Sequence, residues 1–322
     1  MAKTQPTETA LTSADLIMSS QIALAFKILG DRWSWLILRD LFLGFRRFEE
    51  LRSRTGAARG TLTSRLNKLV DQGMLYRNPY QTGPTRYEYR LTDKGYGLYP
   101  LALLVWAWEC RWTQEHGKLP DMLFHRTCGR ATQPELHCPG CEEIIEAVDV
   151  RYTAGSGAKP HKASAQPSAQ RRRRPKTPHA EGVDSTFFHA VDLMGDRWTG
   201  MVLAAIWFQL HRYDDIAATI GIATNILADR LKGLTATGVL ERRAYRENPT
   251  RYEYRLTEKG RDLYGFTLML HQWADEWLVG SEGPGLHLHH KCGQLLGGVV
   301  TCSECGEPLL GGQVSYGYPA DR

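Results

Sequence analysis

No apolar run in this sequence approaches the ~18 residues that a membrane-crossing helix needs, so a transmembrane protein is excluded from the readings. The first ten residues carry no apolar segment of the kind a secretory signal requires, and a cytoplasmic location follows as the expectation. There is no phosphate-binding glycine loop, no nucleophile elbow and no ligand cluster with an open position, which argues against an enzyme. Strong charge of one sign is missing too: the net charge is +5, which alone says little about nucleic acid. Large apolar side chains are nearly absent between residues 153 and 182, so that stretch cannot bury a core and reads as a flexible linker. Its basic run, Arg171 to Arg174 with Lys176, would either track phosphates between two binding units or simply solubilise the linker. Cysteine is scarce, with seven residues, of which six fall into two matching sets. Matched sets in a cytosolic chain favour metal over disulfides. Cys110 stands apart and reads as a small buried hydrophobe.

What is present is repetition. The nine residues from Pro84 to Thr92 return unchanged from Pro249 to Thr257, 165 positions later, and the same offset carries Gly30, Asp31, Arg32 and Trp33 onto Gly195, Asp196, Arg197 and Trp198. A length of 322 residues with 42% hydrophobic content suits two cores, in agreement with a tandem repeat. Within a copy, apolar spacing predicts a helix from Leu16 to Leu29, then a helix capped by Asp31. A short amphipathic piece around Phe48 to Arg54, a break at Gly56 and a helix from Ala58 to Gln72 follow. Helix, tight turn and longer helix make a helix-turn-helix. Met74 to Asn78 and Arg86 to Leu91 read as the two strands of a hairpin wing, ahead of a helix bearing Trp108 and Trp112. The second copy repeats this order, with Phe187 to Met194 as its first helix and Trp273 and Trp277 in its last.

A helix-turn-helix places its second helix in the DNA major groove while a wing reaches the flanking backbone. The candidate contacts in copy one are Arg59, Thr61, Thr63, Ser64, Arg65 and Lys68, with Arg86 and Arg90 on the wing. In copy two they are Thr224, Asn225 and Arg230, with Arg251 and Arg255; Ile226, Ala228, Asp229 and Gly233 occupy the other matching positions. Arginines shared between the copies suit phosphate clamping and the differing residues suit base choice. The competing reading has Arg65 and Arg230 bridging to acidic residues. Tyr87 and Tyr89 read as wing core.

These segments together, Gly30 to Trp33 with Leu36 to Leu41, Arg47 to Leu51, Leu62 with Arg65, Leu66 and Leu69, and Pro84 to Thr92, resemble the HxlR-type winged helix-turn-helix regulators. The resemblance covers about residues 16–112 and again 183–278. It implies bacterial transcription regulation, binding to double-stranded DNA, and dimerisation through the first and last helices. Some members sense oxidants through a Cys-Pro pair before the first helix. Here that region is Ser19 to Ile22 and Asp184 to Phe187, without the cysteine.

After each winged helix comes a Cys/His set: His125, Cys128, Cys138 and Cys141, matched 164 positions on by His289, Cys292, Cys302 and Cys305. Four such ligands can enclose a tetrahedral zinc ion with no open position, so two structural zinc ions per chain are expected. His137 competes with His125, and His287 and His290 compete with His289. A disulfide between Cys138 and Cys141 is the alternative.

The expected fold class is α+β, mainly α: a disordered lead at 1–14, winged helix-turn-helix domains at 15–117 and 183–281, zinc-ribbon-like units at 118–152 and 282–322, and a flexible basic linker at 153–182. The expected function is sequence-specific transcriptional repression at an imperfect inverted repeat, by an intramolecular pseudo-dimer or a homodimer. The alternatives are a regulator that answers a small-molecule effector between the paired helices, and a zinc-ribbon protein-interaction scaffold with weak DNA binding.

Overall fold

The computed structural model describes residues 11–82, 85–113, 120–161, 190, 191, 193 and 195–317. The basic run Arg171 to Lys176, the stretch from Asp184 to Phe187 and most of the helix expected from Phe187 to Met194 lie outside the described residues. Among the latter, no helix is long and apolar enough to cross a membrane.

Copy one opens with two helices where the periodicity suggests one. Helix α1, Ser13–Ser19, starts inside the stretch expected to be disordered, because Thr12 and Asp15 form a capping box. It stops at Ser20, whose hydroxyl donates to the Ile17 carbonyl at 2.7 Å while its backbone turns extended. Helix α2, Ile22–Leu29, then runs to Gly30. Asp31 caps α3, Arg32–Phe42, by accepting from the Ser34 amide at 3.1 Å. Helix α4, Phe48–Thr55, ends on Gly56 in the left-handed region, φ 67°, and this sharp turn launches α5, Arg59–Asp71. The wing is β1, Leu75–Thr82, antiparallel to β2, Thr85–Leu91. The short α6, Asp93–Tyr96, and the long α7, Tyr99–Trp112, complete the unit.

Copy two answers with α8, Arg197–Trp207, α9, Tyr213–Ile220, α10, Thr224–Ala236, a two-stranded wing, α11, Glu258–Arg261, and α12, Tyr264–Leu278. Asp196 caps α8 as Asp31 caps α3, and Gly221, φ 61°, repeats the turn at Gly56. The wing strands β7, Leu240–Arg246, and β8, Arg251–Leu256, pair antiparallel.

The copies face each other about an approximate twofold axis. Asp31 and Asp196 form an antiparallel bridge on that axis. It needs glycine beside it, since a Cβ on Gly195 would lie 2.9 Å from the Arg32 Cα. Flanking it, the Trp108 indole N–H donates to the Lys259 carbonyl at 3.0 Å, and the Trp273 indole donates to the Lys94 carbonyl at 2.8 Å. Each lysine also lies over the partner tryptophan ring, at 5.2 Å for Lys259 and 5.8 Å for Lys94. Buried residues of both copies form one continuous core.

Within that core the Phe26 ring lies directly against Gly200, where an added Cβ would stand 2.2 Å from the ring. Gly200→Val is therefore expected to cost about 3 kcal/mol by overpacking, measured by urea unfolding, with Phe26→Leu in the same chain recovering part of the loss. Unfolding at the wild-type urea concentration would refute this packing.

Candidate nucleic-acid interface and metal centres

The recognition helices are held by apolar stripes: Leu62, Leu66 and Leu69 of α5, and Leu227, Leu231 and Leu234 of α10, are all buried. Outward from α5 stand Arg59, Gly60, Thr63 and Ser64; Thr61, Arg65 and Lys68 are half-buried. Outward from α10 stand Thr224, Asn225, Ala228 and Asp229. Ile226 does not join them: at 8% exposure it anchors the helix to the core. Arg59 is the most open of the candidate cations on α5, with its side chain 69% exposed, paired to Glu49 and stacked 5.2 Å from the Phe48 ring.

Three cations expected to face DNA are ion-paired within the protein. Arg65 Nε is 3.1 Å from Asp31, and the Lys68 ammonium donates to the Ile28 carbonyl at 2.6 Å and lies 3.7 Å from Asp31. Arg230 clasps Asp196. Asp31 and Asp196 are helix caps on the twofold axis; Asp31 is buried and Asp196 half-buried, and a carboxylate withdrawn from water in this way favours a cation beside it. These residues thus fix the recognition helices to the axis, as the competing reading of Arg65 and Arg230 had it.

On the wings, Arg86 and Arg251 are exposed and, among the described residues, have no ion-pair partner. Arg90 and Arg255 are bound by Glu88 and Glu253, each at 2.6 Å. A hydrogen bond from Asn78, then one from Arg90, holds Glu88 below the usual carboxylate range, and Arg255 does the same for Glu253. The repeated strand also docks onto the loop before the helix-turn-helix: the Tyr89 amide donates to the Arg46 carbonyl at 2.9 Å, and the Tyr254 amide to the His211 carbonyl at 2.8 Å. Tyr89 is core, whereas Tyr87 is 47% exposed, because side chains alternate along a strand. Arg242, 3.9 Å over the Tyr252 ring, and the exposed Arg246 add cations on β7. The arginine-rich segment from Arg242 to Arg246 carried that signal in the sequence.

The cysteine-bearing segments interlock. Strand β3, Met122–His125, pairs with β4, Arg130–Thr132, and with β11, Val314–Gly317, of the other copy. Its counterpart β9, Leu286–His290, pairs with β6, Val150–Ala154, which extends into the stretch read as linker. On the axis, β5, Pro134–His137, pairs with β10, Val299–Cys302, Leu136 opposite Val300.

This exchange regroups the ligands. One cluster is His125 and Cys128 with Cys302 and Cys305; the other is Cys138 and Cys141 with His290 and Cys292. Within each, the ligand atoms all lie within 4.8 Å of one another. Cys128 Sγ is 3.9 Å from Cys302 Sγ, Cys138 Sγ is 3.9 Å from Cys292 Sγ, and both His125 Nδ1 to Cys305 Sγ and His290 Nδ1 to Cys141 Sγ are 3.3 Å. A tetrahedron with metal–sulfur bonds of about 2.3 Å and metal–nitrogen bonds of about 2.0 Å has edges of roughly 3.5–3.8 Å, so the donors fit one ion per cluster. All seven cysteines are free thiols, and these sulfur separations are far beyond a disulfide. Backbone donation from Gln294, then His290, holds the Cys292 thiol down to about 7, favouring the thiolate a metal binds.

The sets expected within each copy are thus corrected in two respects. Each cluster takes one pair of ligands from each copy, and His290 replaces His289. Successive strand residues face opposite sides: His290 turns inward at 1% exposure, while His289 Nε2 faces Thr153 Oγ1 at 3.0 Å. His137 lies outside both clusters, bound through Nδ1 to the Glu142 carbonyl at 2.6 Å.

Comparison with known proteins agrees with this architecture. The model of the HxlR-like helix-turn-helix matches residues 28–117 and 193–282, together more than half the chain. An uncharacterized HTH-type transcriptional regulator of Mycobacterium tuberculosis is 39% identical over 127 residues, which is 39% of this chain and 80% of that protein. The HTH-type transcriptional regulator YodB of Bacillus subtilis is 35% identical over 89 residues, 27% of this chain and 80% of its own length.

Proposed function

We propose that this chain, which belongs to the HxlR-like helix-turn-helix family and is a DNA-binding transcription regulator, reads an imperfect inverted repeat as an intramolecular pseudo-dimer and acts as a repressor by occupancy. The observation that carries the proposal is the antiparallel bridge between Asp31 and Asp196, which relates the two recognition helices by an approximate twofold axis within one chain. Such a relation suits half-sites of opposite direction about one DNA turn apart. The helices differ where they face outward: Arg59 against Thr224, Gly60 against Asn225, Ser64 against Asp229. Arg59 suits guanine and Asn225 suits adenine, so the half-sites are unlike.

Two zinc ions fit the clusters best, each held by one imidazole and three thiolates. No ligand position remains for substrate, so the role is structural. Each ion would join the ribbon of one copy to that of the other.

Selection of bound sequences from random DNA tests the reading. The expected result is two different half-sites in opposite orientation, bound by one chain per site in sedimentation. Recovery of a symmetric palindrome bound by two chains would overturn it.

A further inference from the structure

The twofold relation supplies an internal control: a position that packs differently in the two copies marks a difference that the fold itself did not impose. Such a position lies where the last helix, the wing and the interlocked ribbon meet. In copy one the Tyr99 and Tyr316 hydroxyls are 3.2 Å apart, the Phe42 ring meets Tyr99 edge-on at 5.3 Å, and Tyr96 packs against Gly311. In copy two the matching tyrosines are Tyr264 and Tyr152. There Tyr152 lies on Phe208 instead, ring centres 4.2 Å apart, and Trp207 meets Tyr264 edge-on at 5.8 Å. Between them is a cleft of about 380 Å³ lined by these four rings, with Arg243, Arg255 and Arg261 also in its wall. A volume of that size holds a small organic molecule.

The chemistry of the wall narrows the occupant. Four aromatic rings offer planar apolar surface. Trp207 and His211 both line the cleft, while the Trp207 indole N–H and His211 Nδ1 themselves are buried behind its surface. Burial, then the nearby Arg255, holds His211 below its ordinary value, which leaves the ring neutral near pH 7. Of the three arginines, Arg243 is paired with Glu241 and Arg255 with Glu253. Arg261 donates to the Leu256 carbonyl at 3.3 Å and, among the described residues, has no acidic partner. Its counterpart in copy one is Tyr96. Where copy one carries the exposed Tyr96 against Gly311, copy two carries a cation that can pair with an anion.

We propose that this cleft is a binding site for a small planar aromatic carboxylate, its carboxylate at Arg261 and its ring among Tyr152, Trp207, Phe208 and Tyr264. The small cavity between the helices beside Trp35 and Phe266 is a poorer place for an effector, at only about 10 Å³. The cleft also touches the wing through Arg243, Arg255 and Leu256, so an occupant contacts the strands that present Arg251.

The test is titration of the full-length, metal-loaded protein with salicylate, followed by tryptophan fluorescence and by calorimetry. Cyclohexanecarboxylate, an anion without a planar ring, and benzyl alcohol, a planar ring without charge, are the contrast probes. Salicylate is expected to saturate one site per chain, at least about tenfold more tightly than either contrast probe. Arg261→Tyr, which installs the residue that copy one already tolerates, is expected to weaken salicylate at least tenfold. Trp207→Phe, likewise the copy-one residue, should weaken it severalfold, with zinc content and near-ultraviolet circular dichroism unchanged in both. No saturable binding in the millimolar range, equal binding of all three probes, or undiminished binding by Arg261→Tyr each overturns the proposal. The readout needs no DNA, so it stands or falls apart from the operator reading.

Discussion

Changing Cys128 and Cys302 together to serine is expected to remove one metal ion per chain, whereas changing Cys128 and Cys138 together is expected to remove both. The two double variants lose the same number of thiols. They differ only in that Cys128 and Cys302 share a cluster, while Cys128 and Cys138 sit in different clusters. If each ribbon instead closed on its own ion, the outcomes would be reversed, which makes the pair of variants decisive between the two groupings. Elemental analysis of the purified proteins gives the count. Stability should follow it, because an ion that binds only the folded state contributes by mass action. At free zinc about a thousandfold above the dissociation constant this amounts to about 4 kcal/mol for each ion lost. The effect should spread beyond the ribbons, since each cluster ties the first half of the chain to the second. Thermal unfolding of the Cys128/Cys138 variant is therefore expected to lose cooperativity between the winged helices as well as midpoint.

Replacing Arg86 and Arg251 with alanine is expected to weaken binding to every DNA sequence alike and to lower the slope of log affinity against log salt by about 2. Both arginines are exposed on the wings and, among the described residues, have no acidic partner that would hold them back from phosphate. Arg59→Ala should cost about 1–3 kcal/mol at one half-site only. Arg230→Ala should behave differently again. Asp196 has Gly233 where Asp31 has Lys68, so removing Arg230 strips it of its only ion-pair partner among the described residues, and the loss should show in folding stability before it shows in DNA contacts. Fluorescence anisotropy between 50 and 200 mM salt, set beside urea unfolding of the same variants, separates these effects. A salt slope that Arg86→Ala and Arg251→Ala leave unchanged would remove the wings from the interface.

Much of this was legible because the relevant signals are local. Asp31 and Asp196 announce helix starts, Gly56 and Gly221 announce the turn, and the leucine spacing of α5 and α10 announces which face is buried; each depends on neighbours within one or two turns of chain. The break at Ser20 was not legible, since a single hydroxyl on the Ile17 carbonyl ends a helix whose apolar pattern continues. The inward turn of Arg65, Lys68 and Arg230 was only half legible. An arginine on a recognition helix suits phosphate and carboxylate equally, and the choice fell to the caps on the twofold axis.

The repeated nine-residue wing shows the division most plainly. Its identity in both copies was visible in the sequence; its internal use of Glu88 and Glu253 to hold Arg90 and Arg255 was not, and that leaves Arg86 and Arg251 as the residues turned outward. By itself the sequence determined a duplicated winged helix-turn-helix of the HxlR-like family, with divergent recognition helices and enough Cys and His for two metal ions. The tertiary structure alone decided that each cluster able to hold an ion draws its residues from both copies, and that His290 stands where His289 was expected. The physical reason is that a short Cys/His spacing is satisfied equally well within a copy or between copies. What selects between them is strand pairing across the whole chain, β3 with β11 and β9 with β6, and the one-residue alternation that turns His290 inward.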